Sequence, residues 1–517
     1  MMMRDRAYSL TARRRRPNGL LTLLTAAACV LLLTGPESRG QNRDYLAALN
    51  GPMERVSASN KSYERLFEAR MLMDITGAPA GVKDLFIGTP TFSMAVDWIS
   101  QPDQQDAIET LLAPDDRRHN VAYREIFGLP YGEDKVTDDM LLEDWVVYVD
   151  PAKLRATDFA YMNGFQALTL GLIAEGHRAL EVDGDGERAV EAYATAMFLA
   201  RQLADRQYVQ EAAQGYVMLY HGLQIIREAM WHYREALTID NYRYLADELD
   251  LMGMDRIQLP IATLYVGEQL VNEVFGADNR PAADSFPLVM AKFEAGDDPF
   301  DRFAASAKWN ELRSRHAPRL DTDRMIQNVD GDYRRRWRLR RYDPALTIDP
   351  LFDQIDPIEY AIVKELYDLI DMLFSGRFAV ETELHATIAS AGIAAFQKRD
   401  GVAPLSLDQV QPTFVRTRES IVDTFDVNYD ILRYVVVRRR NPNAVGQGFT
   451  VQTRMGRIDL PENSPLLYSI AWDGDDDYGG EHAYVDNPFI RDADLPGDLV
   501  FWPPVDLLAR TGESAKF

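Results

Sequence analysis

Between residues 159 and 237 the apolar side chains recur at steps of three and four, and this period constrains the fold more than any other feature of the chain. Phe159, Met162, Phe165, Leu168, Leu172 and Ile173 form one stripe; Ala189, Ala192, Tyr193, Ala196, Met197 and Leu199 form a second; Tyr216, Leu219, Leu223, Ile226 and Met230 form a third. Spacing of this kind places each set on one face of a helix. The spacing predicts helices over about 159–180, 187–204 and 208–237, with Asp183-Gly184-Asp185-Gly186 as the first break. Amphipathic helices joined by short loops must pair as antiparallel hairpins to bury their stripes.

Similar helical patterning runs through the whole of 41–277. Small residues at repeated steps, such as Ala189, Ala192 and Ala196, let helix axes approach closely. This is similar to tetratricopeptide-type stacking, but no 34-residue repeat is present, so the expectation is an irregular helical bundle or a solenoid-like region. Residues 278–357 hold several prolines and many charges and read as an irregular connecting segment. Within it lies Arg334-Arg335-Arg336-Trp337-Arg338-Leu339-Arg340-Arg341, the densest basic run after the leader. Either it docks an anionic partner or its arginines pair with this chain's own carboxylates, and the acidic balance favours the second.

The pattern changes near Ile358. Helices are expected over about 358–374 and 380–398, then strands over 431–438, 448–453 and 466–471, where β-branched and aromatic residues concentrate. The fold class expected is therefore mainly α, with a smaller α+β part, helix followed by antiparallel sheet, over 358–517.

Residues 1–40 read as a signal peptide. Arginines 4, 6 and 13–16 precede an apolar run from Gly19 to Leu33, and Ser38-Arg39-Gly40 offers a small-x-small cleavage site. An apolar run this short falls below the ~20 residues that a membrane-crossing helix needs, and an uncleaved anchor is the alternative. The expected location is the periplasm or the extracellular space. Cys29, the single cysteine, lies inside the apolar run, so the exported chain holds no thiol and can form neither disulfides nor cysteine–metal sites. The formal charge of −24 becomes −29 once the leader is removed. A body so acidic repels nucleic acid and anionic lipid, so a protein partner in the cell envelope is expected, and membrane contact only through an uncleaved leader.

Conventional catalytic signatures, among them the P-loop, GxGxxG, GxSxG and HExxH, do not occur in the sequence. Glu381, Glu383 and His385 do not share one helix face, and His385 with Glu381 is expected as a surface pair. One segment stands out: Asp473, Asp475, Asp476 and Asp477 crowd five positions beside Gly474, Gly479 and Gly480. Carboxylates this close repel one another unless a cation or donors offset the charge, and calcium takes six to eight oxygen ligands from such loops. Neither the sixth nor the twelfth position from Asp473, Tyr478 and Tyr484, matches an EF-hand. A solvated acidic turn is the other reading.

The last third of the chain resembles the globular region of the major pseudopilin of type II secretion. The residues that carry the resemblance are a helix at Ala386–Gln397, the element Gly401-Val402-Ala403-Pro404-Leu405-Ser406-Leu407-Asp408, and the strand approach from Phe425-Asp426 to Tyr434. To these add Leu467-Tyr468-Ser469 with Asp473-Gly474 and Gly479-Gly480, and the closing Asp498-Leu499-Val500-Phe501-Trp502. The resemblance implies a helix leading into a small sheet and a loop that binds Ca2+ through Asp473, Asp475 and Asp477, with Asp498 as an outer contributor. On this reading the protein is a non-enzymatic envelope component. The alternative is a secreted hydrolase with paired carboxylates, for which Glu125, Glu133, Asp138, Asp139, Glu143 and Asp144 near Trp145 are the candidates.

Overall fold

In a computed structural model, the described residues are 43–112, 126–296, 299–340, 343–426, 428–438, 449–483, 485, 487–489, 497–513 and 515. The leader with Cys29, and also His119, Glu125 and Arg341, lie outside them.

The chain is mainly helical, with a small antiparallel β component near its C-terminal end. The three stripes form α6 (Met162–Arg178), α7 (Gly186–Ala204) and α8 (Val209–His232), after five shorter helices: α1 (Tyr45–Glu54), α2 (Tyr63–Leu72), α3 (Phe92–Ile99), α4 (Pro102–Leu112) and α5 (Asp138–Leu142). Local chemistry sets the ends. Asp185 accepts the Arg188 N–H at the start of α7, and Gly184 before it takes a left-handed φ of 66°. The next helix, α9 (Ile239–Asp250), opens on a Thr238–Asn241 capping box.

α8 packs against α7 on one side and against a 40-residue helix on the other. Gly215 on α8 explains the close approach to α7: a Cβ there would sit 2.3 Å from the Ala204 nitrogen and 2.8 Å from the Ala200 carbonyl oxygen. Two backbones meet here with no side chain between them.

The connecting segment 278–357 is more regular than expected. After α10 (Ala262–Val274) it forms α11 (Ser285–Ala295), α12 (Pro299–Leu312), α13 (Arg319–Trp337) and the single turn α14 (Leu351–Gln354). Pro287 and Pro299 fall in first turns, where the missing N–H costs nothing, so these prolines start helices rather than break them. Of the arginine run, Arg334 pairs with Asp330 at 2.6 Å and Arg336 with Asp332 at 2.7 Å, with Arg335 also on Asp332. Arg336 further donates to the carbonyls of Ile348 and Asp349. The internal pairing holds for these three.

The two helices expected over 358–398 are one continuous α15 (Ala361–Asp400) that ends on Gly401 in the left-handed region. The apparent break at Ser375-Gly376 has another cause. A Cβ on Gly376 would meet the Phe489 ring at 2.4 Å, so the glycine admits an aromatic side chain from the C-terminal part. From Ala386 to Gln397 every residue is buried, as suits a helix apolar on all sides.

The β component is two small sheets. β1 (Arg433–Val436), β4 (Pro465–Ser469) and β5 (Leu499–Trp502) form an antiparallel sheet in the order β1-β4-β5. β2 (Phe449–Thr453) and β3 (Gly456–Leu460) form a hairpin. β4 and β5 are buried along their length, and a last helix, α16 (Val505–Thr511), follows β5. Residues 45–517 cluster as one compact unit rather than dividing near Ile358. Trp502 of β5 meets Trp231 of α8 edge to face, with ring centroids 5.1 Å apart. No helix among the described residues is long and apolar enough to cross a membrane.

Gly215→Ala should cost at least about 1–3 kcal/mol, because backbone must move to admit the methyl group. Gly331→Ala, on α13 where nothing lies within 4 Å of the added carbon, should gain up to about 1 kcal/mol from helix propensity. Chemical denaturation of the two variants checks both signs.

Candidate functional site

Two places gather titratable groups: the acidic loop between β4 and β5, and a cleft on the far side of β5.

The loop leaves β4 on a buried anchor. Asp423 accepts from the Ser469 hydroxyl at 2.7 Å and from the backbone N–H groups of Phe425 at 3.0 Å and Ile470 at 3.2 Å. Ala471, Gly474, Tyr478 and Gly479 then take positive φ values of 52°, 72°, 57° and 70°. Glycine supplies this conformation freely at two of them; alanine and tyrosine are held there by their neighbours. Asp473 accepts from the N–H of Asp475 at 3.1 Å and of Gly497 at 3.3 Å, and Asp476 from the Tyr468 hydroxyl at 3.1 Å.

Asp498 sits under this loop with 0% exposure. One carboxylate oxygen accepts the Gly479 N–H at 2.7 Å, while the other, Oδ1, is buried with no hydrogen-bond partner. Burial, then the charges of Asp476, Asp477 and Asp473, push its carboxyl up to about 7, against the pull of the Gly479 N–H. Of the four residues expected at an ion, Asp473 and Asp477 therefore act on Asp498. Asp475 stays exposed, whereas Asp476, not chosen from the sequence, adds to that shift. Among the described residues no three carboxylate, imidazole or thiolate groups stand arranged to hold a metal. An unpartnered buried carboxylate oxygen beneath further carboxylates nevertheless supplies oxygen, the donor type that suits calcium.

The cleft holds about 260 Å³ and lies between α8, α15, β5 and α16. Glu228 of α8 receives both terminal nitrogens of Arg510 of α16, at 3.0 and 3.1 Å, and the Ile87 N–H at 3.2 Å. Burial pushes its carboxyl up to about 7 and Asp506 adds to this, while Arg510 opposes it. Arg227 pairs with Glu383 at 2.5 Å, and Gln224 donates to the same carboxylate at 3.0 Å. His482 Nδ1 accepts the Val500 N–H at 3.1 Å, so the ring proton resides on Nε2, which faces Asp506 at 3.2 Å. Burial would raise the Asp506 carboxyl, but His482, Arg510 and Arg227 outweigh it and hold the group below its usual value. Asp506 Oδ1 is buried and has no hydrogen-bond partner.

Sequence reasoning missed this cluster, since its members lie on four elements far apart in the chain. The available signal was Glu228 itself, a charge beside Ile225, Ile226, Ala229 and Met230 on a buried helix. Glu383, grouped with Glu381 and His385 in the sequence, is buried against Arg227, and His385 bonds to the Val422 carbonyl at 2.7 Å. Trp145 packs into the core against Phe67, Phe127 and Tyr161, and Glu133, Asp138, Asp139, Glu143 and Asp144 are exposed around it.

No protein-family profile matches the chain, and no curated protein or solved structure matches it either.

Glu228 binds its proton more tightly in the folded chain than unfolded, where it titrates near 4.5. Its contribution to stability is thus present in full below about 4.5 and is lost as the pH rises through 7. Wild type should therefore lose stability relative to Glu228→Gln between pH 5 and 8 in melting curves recorded with chelator, and parallel curves would contradict the assignment.

Proposed function

We propose that the chain is an exported, non-enzymatic envelope protein whose helical region serves protein interaction and whose C-terminal helix-and-sheet part is stiffened by calcium. The observation that carries this reading is Asp498. A fully buried carboxylate with one oxygen unpartnered, under a loop that adds three more negative charges, has no ion pair among the described residues. Asp498 and Asp473 would hold the ion, with Asp476 and Asp477 close by, and the ion would supply the charge that the loop needs to stay closed. The arrangement of a long helix, a small antiparallel sheet and this loop agrees with the pseudopilin resemblance in order along the chain. Export rests on the leader sequence.

Calcium at 100 times its dissociation constant should stabilise the mature chain by about 2.7 kcal/mol. Asp498→Asn should abolish the gain, as should Asp473→Asn combined with Asp477→Asn on the loop surface. Magnesium should do less, because it demands a smaller octahedral shell. Equal melting curves in calcium and in chelator would defeat the ion reading. For export, mass spectrometry of the protein from its producing cell should find a terminus between about residues 36 and 44; an intact Met1 in the membrane pellet would show the anchor instead.

One observation favours a second reading, a hydrolase with paired carboxylates. Glu228 and Asp506 line one cleft and are pushed in opposite directions, the pattern by which proton donor and acceptor are set apart. A bell-shaped pH dependence of glycoside hydrolysis, lost in Glu228→Gln, would establish it.

A further inference from the structure

The cleft beside β5 carries an inference that does not depend on the calcium loop. We propose that it binds a neutral, hydroxyl-rich molecule of monosaccharide size, with Asp506 accepting a ligand hydroxyl.

The size follows from the volume. About 260 Å³ lies just under the ~300–1,000 Å³ range of pockets that hold drug-sized ligands. The charge follows from the lining. Glu228, Glu383 and Asp506 face Lys83, Arg227 and Arg510, so the two signs are matched. Arg510 is already held by both oxygens of Glu228, and Arg227 by Glu383. An anionic ligand would have to displace a carboxylate to reach a guanidinium. A cationic ligand would enter beside three like charges. Either costs more than a neutral ligand, which adds hydrogen bonds to a network already balanced.

The hydrogen-bonding pattern narrows the chemistry. Asp506 keeps 26% of its side chain exposed; Oδ1 is buried, so the accessible acceptor is Oδ2, which is fixed by the His482 imidazole and has lone-pair capacity left. The wall holds donors and acceptors together, with Gln224, Thr89 and Tyr220 added to the charged groups. A hydroxyl both donates and accepts, so several on one small ring can answer such a wall where a purely apolar ligand would leave it unsatisfied. Flat aromatic ligands are disfavoured, since the Phe86 and Phe501 rings are covered by the guanidinium groups of Arg510 and Arg227 at 5.2 and 5.0 Å. Val485, Leu499 and Val505 supply apolar wall for the carbon face of a sugar ring.

The test uses the full mature chain with chelator throughout, so that calcium plays no part. Glucose, galactose, mannose and N-acetylglucosamine are the probes, followed by saturation-transfer NMR and calorimetry. At least one should bind saturably with a millimolar dissociation constant, and Asp506→Asn, which removes the charge of the accepting group, should weaken it about tenfold or more. Should that variant fold poorly by circular dichroism, Ala483→Leu at the cleft wall should exclude the ligand by size. The proposal is overturned if no probe binds, if binding survives the folded variant, or if glucuronate or glucosamine binds more tightly than its neutral parent. Tighter binding of a neutral dipeptide amide than of any sugar would overturn it as well.

Discussion

The structure turns on charges that α8 carries into the core. Glu211 accepts from Arg206 at 2.8 Å and from the hydroxyls of Tyr131 and Tyr161 at 2.7 and 2.5 Å, all four groups being buried. Four turns further along, Arg227 reaches Glu383 of α15, and the next residue, Glu228, reaches Arg510 of α16. Removing one partner from a buried pair leaves an uncompensated charge and costs about 3–5 kcal/mol, whereas an apolar replacement of both is often neutral. These pairs therefore select a geometry more than they add stability. Tyr131 and Tyr161 are tied to Glu211, α15 to Arg227 and α16 to Glu228, so four stretches distant in sequence are placed by one helix.

That arrangement explains why the C-terminal sheet has no core of its own to speak of. β4 and β5 are buried on both faces, and the covering layer is supplied by α15 and by the last helix, while Trp502 reaches α8. The 40-residue length of α15 follows from the same requirement. Its first half packs with α13 beside Tyr333 and Tyr367, and its second half lies against α8 and α9. A helix that serves two neighbourhoods in succession must be long, and from Ala386 to Gln397 this one is buried on every side. The cleft is what remains where α8, β5 and α16 converge on charged rather than interdigitating side chains.

Much of this was legible in the sequence wherever one residue period decided the outcome. The stripes of α6, α7 and α8 are local, and capping residues such as Asp185 fix their ends within a turn. Strands β1, β2 and β4 were likewise marked by β-branched runs. What escaped was whatever depended on a partner distant in sequence. Gly376 reads as a break until Phe489 is placed against it, and Pro287 and Pro299 read as loop formers until their positions in first turns are known. The acidic loop was visible as a crowd of aspartates, but which of them act on Asp498 depends on a fold-back that brings residue 498 beneath residue 479. The cleft left only a trace, since Glu228, Glu383, His482 and Arg510 become neighbours through tertiary packing alone.

The loop and the cleft also share one short ladder of hydrogen bonds. Asp498 donates its N–H to the Glu481 carbonyl at 2.9 Å, and its own carbonyl accepts from Ala483 at 2.9 Å. His482 lies between those two residues, and two positions past Asp498 the Val500 N–H fixes its imidazole tautomer. The strand that holds the buried carboxylate under the loop thus also orients the imidazole that faces Asp506. Charge balance at the loop and hydrogen-bond geometry in the cleft are consequently two conditions on the same short ladder.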